Sequence, residues 1–529
     1  MVPMSVRRRT SRRRGKAGAA LVLAPLLLAP CVLAAAPPPQ PPPQLTQSEV
    51  DSAVGRLDGI VRDGMARTGV PGVAVAVVHK DRVVYLKGFG VRHEGRAGRI
   101  DPDTVFELAS LSKPLTSTVI AGAVGDKTVG WDDPVAGRLP GFALRDPWVT
   151  QHVTVADLLS HRSGLPDHAG DLLEDLGYDR TYILGRLRYE PLAPFRATYA
   201  YTNYGPTAAG QAVADAAGTS WEKLAEDILY KPAGMASTSY RFADYEASRD
   251  RADLHVKTAD GTWKAQYVRD ADAQAPAGGA SSSARDMSRW LRLQLAEGKL
   301  DGKQIIPAEQ LDHTHVPAIV SQPPPAAAGR AGFYGLGWNV GYDTLGRLRL
   351  SHSGAFDLGA NTNVTMLPGE DLGIVVLTNG APTGLPDAIA QTFFDTAEHG
   401  KATADWLDLI GKIYAQEAAA GRSPTDYSRP PADAAAARPL AACTGTYANG
   451  YYGPLTVTAS GGELTMRLGP KPTTFRLTHY DGDTYSFRTV GENAVGLSGV
   501  TFQGDRNGRA TRVTVEAFDE NGLGVFTRR

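Results

Sequence analysis

The chain has only two cysteines in 529 residues, Cys31 and Cys443. That excludes a disulfide scaffold and leaves no cysteine–histidine cluster at metal-ligand spacing. It also lacks a net charge: 55 Lys and Arg face 56 Asp and Glu. The balance hides a split. Arg7, Arg8, Arg9, Arg12, Arg13, Arg14 and Lys16 fall within residues 1–36, where there is no acid. The remaining 48 basic residues against 56 acidic ones leave the rest near −8. A body of that sign lacks the basic field that nucleic acid or an anionic membrane requires. No Gly-x-Ser-x-Gly elbow occurs, which argues against an α/β-hydrolase. No Gly-x-x-x-x-Gly-Lys loop occurs, which argues against nucleotide use. What is present suits a folded protein: 42% hydrophobic and 21% charged residues, over a length that predicts more than one domain.

The basic cluster precedes an apolar run, Ala17 to Ala36, and a Pro-rich stretch, Pro37 to Gln44. A positive region, an apolar region and small residues at Ala34-Ala35-Ala36 form the layout of a secretory signal. Pro37 disfavours a cut directly before it and points to one after Ala34 or Ala35. An uncleaved anchor is the alternative, since the run is just long enough to span a bilayer, but Pro25 and Pro30 interrupt a continuous helix. Pro30 before Cys31 makes a poor lipid-attachment box. Arg12-Arg13 lacks the bulky apolar residues of a twin-arginine signal. The expectation is an exported, periplasmic or secreted protein with no stable membrane anchor after cleavage, in which Cys443 stands alone and packing supplies the stability.

The rest divides by pattern. Residues 45–420 alternate helical and strand signals, residues 421–439 read as a Pro/Ala-rich linker, and residues 440–529 switch to short strands. With the signal at 1–36 and a linker at 37–44, this gives two folded units. Gln44 to Gly69 reads as an amphipathic helix. Val73–Val78 and Arg82–Lys87 read as paired strands, and strand signals return at Arg347–His352, Asn361–Leu367 and Gly373–Leu377. Strands at both ends with helices between predict one sheet built from both termini of a domain. In the last unit, strands are expected at 455–458, 463–468, 473–478, 484–488, 499–503 and 511–517. That spacing predicts a small antiparallel barrel or sandwich.

Three dispersed motifs carry chemistry. Ser110-Leu111-Ser112-Lys113 opens a helical stretch, and a spacing of three places the lysine one turn above the serine on one face. The helix N-terminus favours an oxyanion, and a close lysine can take the serine's proton. A second match, Ser220-Trp221-Glu222-Lys223, reads instead as a helix cap. Tyr201-Thr202-Asn203 offers a phenol whose pKa a neighbouring lysine would lower, and an amide suited to a substrate peptide or to the lysine. His352-Ser353-Gly354-Ala355 follows a strand signal. There His352 and Gly354 share a face, and the Ala355 amide can pair with that of Ser110 as an oxyanion hole.

These elements, in this order, resemble the serine β-lactamase and penicillin-binding-protein superfamily, in its branch of class C β-lactamases, D-alanyl-D-alanine carboxypeptidases and esterases. Pro71-Gly72-Val73, Asp133-Pro134-Val135, Leu158 through Pro166, Ala277-Gly278-Gly279, Tyr334 through Trp338 and Pro368 through Asn379 match it too. The resemblance implies an α+β fold: an antiparallel sheet flanked by helices with an all-helical subdomain, followed by a lipocalin-like barrel. It implies catalysis by Ser110, Lys113 and Tyr201, with Asn203, His352, Gly354 and Ala355 facing the substrate, and no metal or organic cofactor. Histidine in place of lysine at 352 weakens carboxylate recognition.

The function expected is an exported serine hydrolase acting through an acyl-enzyme on peptides bearing D-amino acids, or on esters. The alternatives are a true class C-like β-lactamase and a silent binder of peptidoglycan or of a partner. The partner expected is a small-molecule or peptide substrate; the oligomeric state stays open. His161 and His168 read as loop-shaping, and His313-x-His315 lacks a ligand set for a metal.

Overall fold

The computed structural model describes residues 44–343, 345–471, 473–504 and 508–529. The signal segment and all but the last residue of the first linker lie outside them. The first helix, α1 (Gln47–Thr68), starts on a capping box: the Glu49 N–H donates to Thr46 Oγ1 at 3.3 Å and the Thr46 N–H to Glu49 Oε2 at 2.8 Å. It ends at Gly69, φ +74°, a left-handed cap that glycine takes without strain. Strands β1 (Gly72–His79) and β2 (Arg82–Gly90) form a hairpin, and the short β3 (Val105–Glu107) pairs with β4 (Ser281–Ser283). Then follow β5 (Ile319–Gln322), β6 (Gly332–Tyr334), β7 (Asn339–Tyr342), β8 (Leu348–Phe356), β9 (Ala360–Leu367) and β10 (Leu372–Thr378).

The main sheet is antiparallel, in the order β2-β1-β10-β9-β8-β7-β6-β5. Val73 pairs with Thr378 and His79 with Leu372, so the first and last strands of the domain lie side by side, as the sequence pattern predicted. Every residue of β1 is buried, and the period of two explains why. Val73, Val75 and Val77 join one core with α1 and α7 (Leu385–His399). Ala74, Ala76 and Val78 face the other core, with α2 (Ser112–Gly125) and α6 (Ala284–Leu295). Each aliphatic side chain so buried contributes about 1.5–3 kcal/mol. Between sheet strands lie the helices that carry the site: α2, the short α3 (Asp171–Asp175) and α4 (Arg180–Arg186), and α5 (Tyr204–Ala216). A further helix, α8 (Trp406–Ala420), packs on α7.

Eight strands from Gly445–Asn449 to Val525–Arg528 close into an antiparallel barrel. Six were legible in sequence. The first and last, which pair Tyr447 with Arg528 and close the ring, were not. The interior is filled: Tyr447, Leu455, Met466, Phe475, Phe487, Val500, Phe502 and Phe526 are all buried. The barrel is therefore a packed core and not a hollow container. Segment 421–439 carries no strand and runs against the barrel, with the Arg438 guanidinium on Asp483 at 2.7 Å and Ser423 on Glu516 at 2.6 Å.

Candidate functional site

Ser110 sits half-buried in a single turn of 3-10 helix, Ala109–Leu111, which joins β3 to α2. Ala109 has φ +49°, a conformation that costs a residue with a Cβ roughly 1–2 kcal/mol. Neighbours hold the kink in place. The Leu108 N–H donates to Ala280 O at 2.8 Å, and Thr362 Oγ1 donates to Leu108 O at 2.8 Å. Ser112 Oγ donates to Ala109 O at 2.6 Å and accepts from Ala280 N at 2.9 Å. Three parts of the chain thus converge on the turn that carries the serine.

Lys113 is fully buried. Its Nζ lies 2.9 Å from Ser110 Oγ, 2.7 Å from Asn203 Oδ1 and 3.1 Å from the Ala277 carbonyl. Burial pulls its pKa down to about 7, with the Asp171 carboxylate opposing. The geometry suits a neutral amine. Two partners, Asn203 Oδ1 and Ala277 O, only accept, so they take its two N–H groups and leave the lone pair directed at the Ser110 hydroxyl.

Tyr201 also bonds Ser110, and its ring centroid is 4.5 Å from Lys113 Nζ. Here the structure departs from the sequence expectation. Burial pushes the phenol's pKa up, not down; the bond with Ser110 opposes the shift without cancelling it, and Tyr199 and Asp171 add to it. A lysine that is itself losing its charge gives the phenolate little support. Tyr201 is held as a neutral donor. Its backbone is pinned on both sides, its N–H by Asp167 Oδ1 at 2.5 Å and its carbonyl by the His168 N–H at 2.8 Å.

Of the two partners expected for Asn203, substrate or lysine, the structure supplies the lysine. Its Oδ1 accepts from Lys113, while its Nδ2 donates to Asp171 Oδ2 at 2.8 Å. Asp171 also takes His168 Nδ1 at 2.9 Å. With both ends of the amide engaged, Asn203 holds the lysine and is not a free donor to substrate. His352 is likewise engaged at both nitrogens: Nδ1 donates to the Ser353 carbonyl at 2.7 Å, and Nε2 accepts from the Tyr334 hydroxyl at 2.8 Å. Burial lowers its pKa to about 3, so it shapes the site without offering a cation.

Gly354 lies where β8 meets the serine turn. A Cβ there would stand 2.2 Å from Leu108 O and 3.0 Å from Leu111 N, so only glycine allows the approach. Ala355 follows it on the strand. His161 packs its ring 4.6 Å from Tyr201 and 4.8 Å from Tyr334, and its Nδ1 accepts from Thr202 N at 3.2 Å. It therefore lines the site as well as shaping its loop. Ser220 Oγ accepts from Lys223 N at 3.2 Å and caps a helix that buries Trp221. His313 stacks on Trp131 and His315 bonds Gln294. Among the described residues no group of three or more His, Cys, Asp or Glu could hold a metal ion.

Sequence reasoning missed Asp171, Tyr334 and the Ala277 carbonyl as members of this network. Asp171 belongs to no short motif, and a backbone carbonyl leaves no trace in sequence.

Comparisons with known proteins agree with the fold. A family model described as Beta-lactamase matches residues 57–393, and one described as a domain of unknown function (DUF3471) matches residues 429–524. An unguisins hydrolase of Aspergillus violaceofuscus is 26% identical over 455 residues, covering 79% of this chain and 80% of its own. Penicillin-binding protein 4 of Amycolatopsis lactamdurans is 28% identical, covering 72% of this chain and 93% of its own. Among solved structures, an octameric penicillin-binding protein homologue from Pyrococcus abyssi superposes with a TM-score of 0.56 at 20% identity, over 88% of this chain and 98% of its own. A class C β-lactamase from Rhodobacter sphaeroides gives 0.54 at 22% identity, over 65% and 99%. With the family model spanning more than half of its length, the chain belongs to the β-lactamase family, as a penicillin-binding-protein-like hydrolase.

Proposed function

We propose that the protein is an exported serine hydrolase that forms an acyl-enzyme on Ser110, and that its substrates are amides or esters with no free carboxylate beside the scissile bond. The observation that carries this reading is the contact of Ser110 Oγ at 2.9 Å with a buried Lys113 whose pKa is pulled down to about 7, so that a large share of it is the free amine at neutral pH. A neutral amine at pH 7 is a base matched to its task.

In the proposed cycle, Lys113 takes the Ser110 proton as Oγ attacks the carbonyl carbon. The amides of Ser110 and Ala355 receive the developing oxyanion. Tyr201, kept protonated by its burial, gives its proton to the departing amine or alcohol, and the Lys113 ammonium restores it. Water then enters and attacks the acyl carbon while giving a proton to the same pair; the bond from that carbon to Oγ breaks, Oγ takes the proton back, and the acid leaves with Ser110 regenerated.

The substrate preference follows from charge. Tyr199 and His352 are neutral, and the other groups whose charge acts on Tyr201 and His161 are Asp171, Lys113 and His168, the last held on Asp171 at 2.9 Å. Lys113 is committed to the serine. A peptide bond within a chain, a blocked peptide or a neutral ester fits this field better than a terminal D-alanine carboxylate or a penicillin. Peptides carrying D-amino acids remain the leading class, on the family resemblance, and the likeness to an unguisins hydrolase supports hydrolysis as the reaction. The cationic leader supports export.

Two probes test the proposal: a fluorophosphonate and a fluorescent penicillin, each against the native protein and Ser110→Ala. Rapid phosphonylation that Ser110→Ala abolishes, with slow or absent penicillin labelling, is expected. Labelling that survives Ser110→Ala overturns the nucleophile, and equal labelling by penicillin overturns the charge argument.

A further inference from the structure

Contacts between the barrel and the segment 170–175 lead to Lys113. The barrel loop 489–496 wraps the carboxylate of Asp175, the last residue of α3. That carboxylate accepts from Glu492 N at 2.9 Å, Asn493 N at 2.8 Å and Asn493 Nδ2 at 2.9 Å. Gly491, φ +104°, completes the cup: a Cβ there would stand 2.4 Å from Asp175 Oδ1. Asn493 Nδ2 also reaches the Asp171 carbonyl at 3.4 Å. At the other end of the same segment, the Gly170 N–H donates to the hydroxyl of Tyr451 in the barrel at 3.0 Å, and Tyr451 is bonded in turn to the buried Glu190. Residues 170–175 are thus gripped from the barrel at both ends.

Between the two grips sits Asp171. Its carboxylate fixes Asn203 Nδ2, Asn203 Oδ1 fixes Lys113 Nζ, and Lys113 faces Ser110. We propose that the barrel is a positioning element for the active site: loop 489–496 and Tyr451 hold α3 so that Asp171 keeps Asn203 and Lys113 in register with Ser110. The catalytic importance of this register rests on the function proposed above; the coupling to Lys113 does not. Two arguments support it. The contacts to Asp175 and Gly170 are directional hydrogen bonds to a carboxylate and to a helix-start amide, so they specify position in a way that the apolar contact of Leu172 and Leu176 with the barrel beside them does not. The network also ends on a group whose ionisation reports position. The groups that face Lys113 are Asp171, Tyr201, His161, His168 and His352. Asp171 is the one whose charge favours the ammonium. If α3 drifts, Asp171 withdraws, and Lys113 loses its proton at lower pH.

The test is the charge-neutral double variant Asn493→Ala/Tyr451→Phe in the full chain, with Gly491→Ala as a second route to the same loosening. Lys113 ionisation is followed by NMR of lysine carrying 13C at Cε, and phosphonylation rate against pH is measured beside it. At an effective dielectric near 20, a charge roughly 7 Å away moves a pKa by about 1.7 units, so a partial withdrawal of Asp171 is expected to lower the Lys113 pKa by about half to one unit. The phosphonylation plateau is expected to fall about tenfold as register is lost. Asp171→Asn is expected to shift the midpoint the same way, and the double variant to add little to it. An unshifted Lys113 in folded loosened variants overturns the clamp, as does a shift that adds in full to that of Asp171→Asn. A shifted Lys113 without Ser110-dependent phosphonylation in the native protein supports the clamp and refutes the nucleophile instead.

Discussion

Gly354→Ala perturbs the site at a single atom. The new Cβ would stand 2.2 Å from the Leu108 carbonyl oxygen and 2.4 Å from Thr362 Oγ1, where ordinary contact begins at 3.4 Å. Strand β8 and the serine turn must therefore part by about 1.2 Å. Neither side yields easily. The turn is tied by Leu108 to Ala280, and Thr362 spends its hydroxyl on the same Leu108 carbonyl. Overpacking of this kind costs about 1–3 kcal/mol of stability. Catalysis suffers more, since a misplacement of about 1 Å between reacting groups costs on the order of a hundredfold in rate. The assay is the second-order rate constant for phosphonylation, taken beside the denaturant midpoint at a temperature where the variant is folded. A rate within about threefold of native, where a hundredfold loss is expected, would refute the claim that β8 and the serine turn form one rigid constellation.

Other outcomes follow from the burial and bonding of particular residues. His161, His315 and His352 all have pKa values lowered by burial, the last two to about 3. The unfolded chain, with histidines near 6.5, then binds more protons than the folded one below that pH, so these groups withdraw stability as pH falls from about 6.5 toward 3. Denaturant melts from pH 7 to 4 should show the decline, and NMR should find His352 neutral at pH 5. Ser112→Ala leaves the buried Ala280 amide without its partner at 2.9 Å, which costs about 1–3 kcal/mol; kcat is expected to fall with KM little changed, because the loop carrying Ala277 slackens beneath Lys113. Trp338 is fully buried and stacks on Trp290 at 5.6 Å. Trp338→Ala should cost about 3–5 kcal/mol in the denaturant midpoint, and a loss well under that range would mean that the pocket collapses around the gap.

How much of this was legible in sequence depended on range. Strand β1 could be read because both of its faces are buried, so its apolar run is unbroken. The barrel's closing strands could not. Gly445–Asn449 and Val525–Arg528 alternate weakly, and what makes them strands is their pairing with one another across the whole domain. Ser110, Lys113 and Tyr201 were legible because local spacing and a shared order of motifs select them. Asp171 was not, since its partner Asn203 is 32 residues away and no pattern links the two. The pKa of Tyr201 was misjudged for a related reason. Sequence shows which charge is a neighbour but not how deeply both groups are buried, and here desolvation outweighs the neighbour.

The pH dependence of Ser110 phosphonylation weighs the role of Lys113 in a single curve. With Lys113 acting as a desolvated base, the rate constant should rise with a midpoint near 7 and level off above it. Lys113→Met should remove the step together with nearly all of the rate. A native profile that climbs steadily to a midpoint near 10, as for an ordinary exposed lysine, or one that Lys113→Met leaves unchanged, would contradict it.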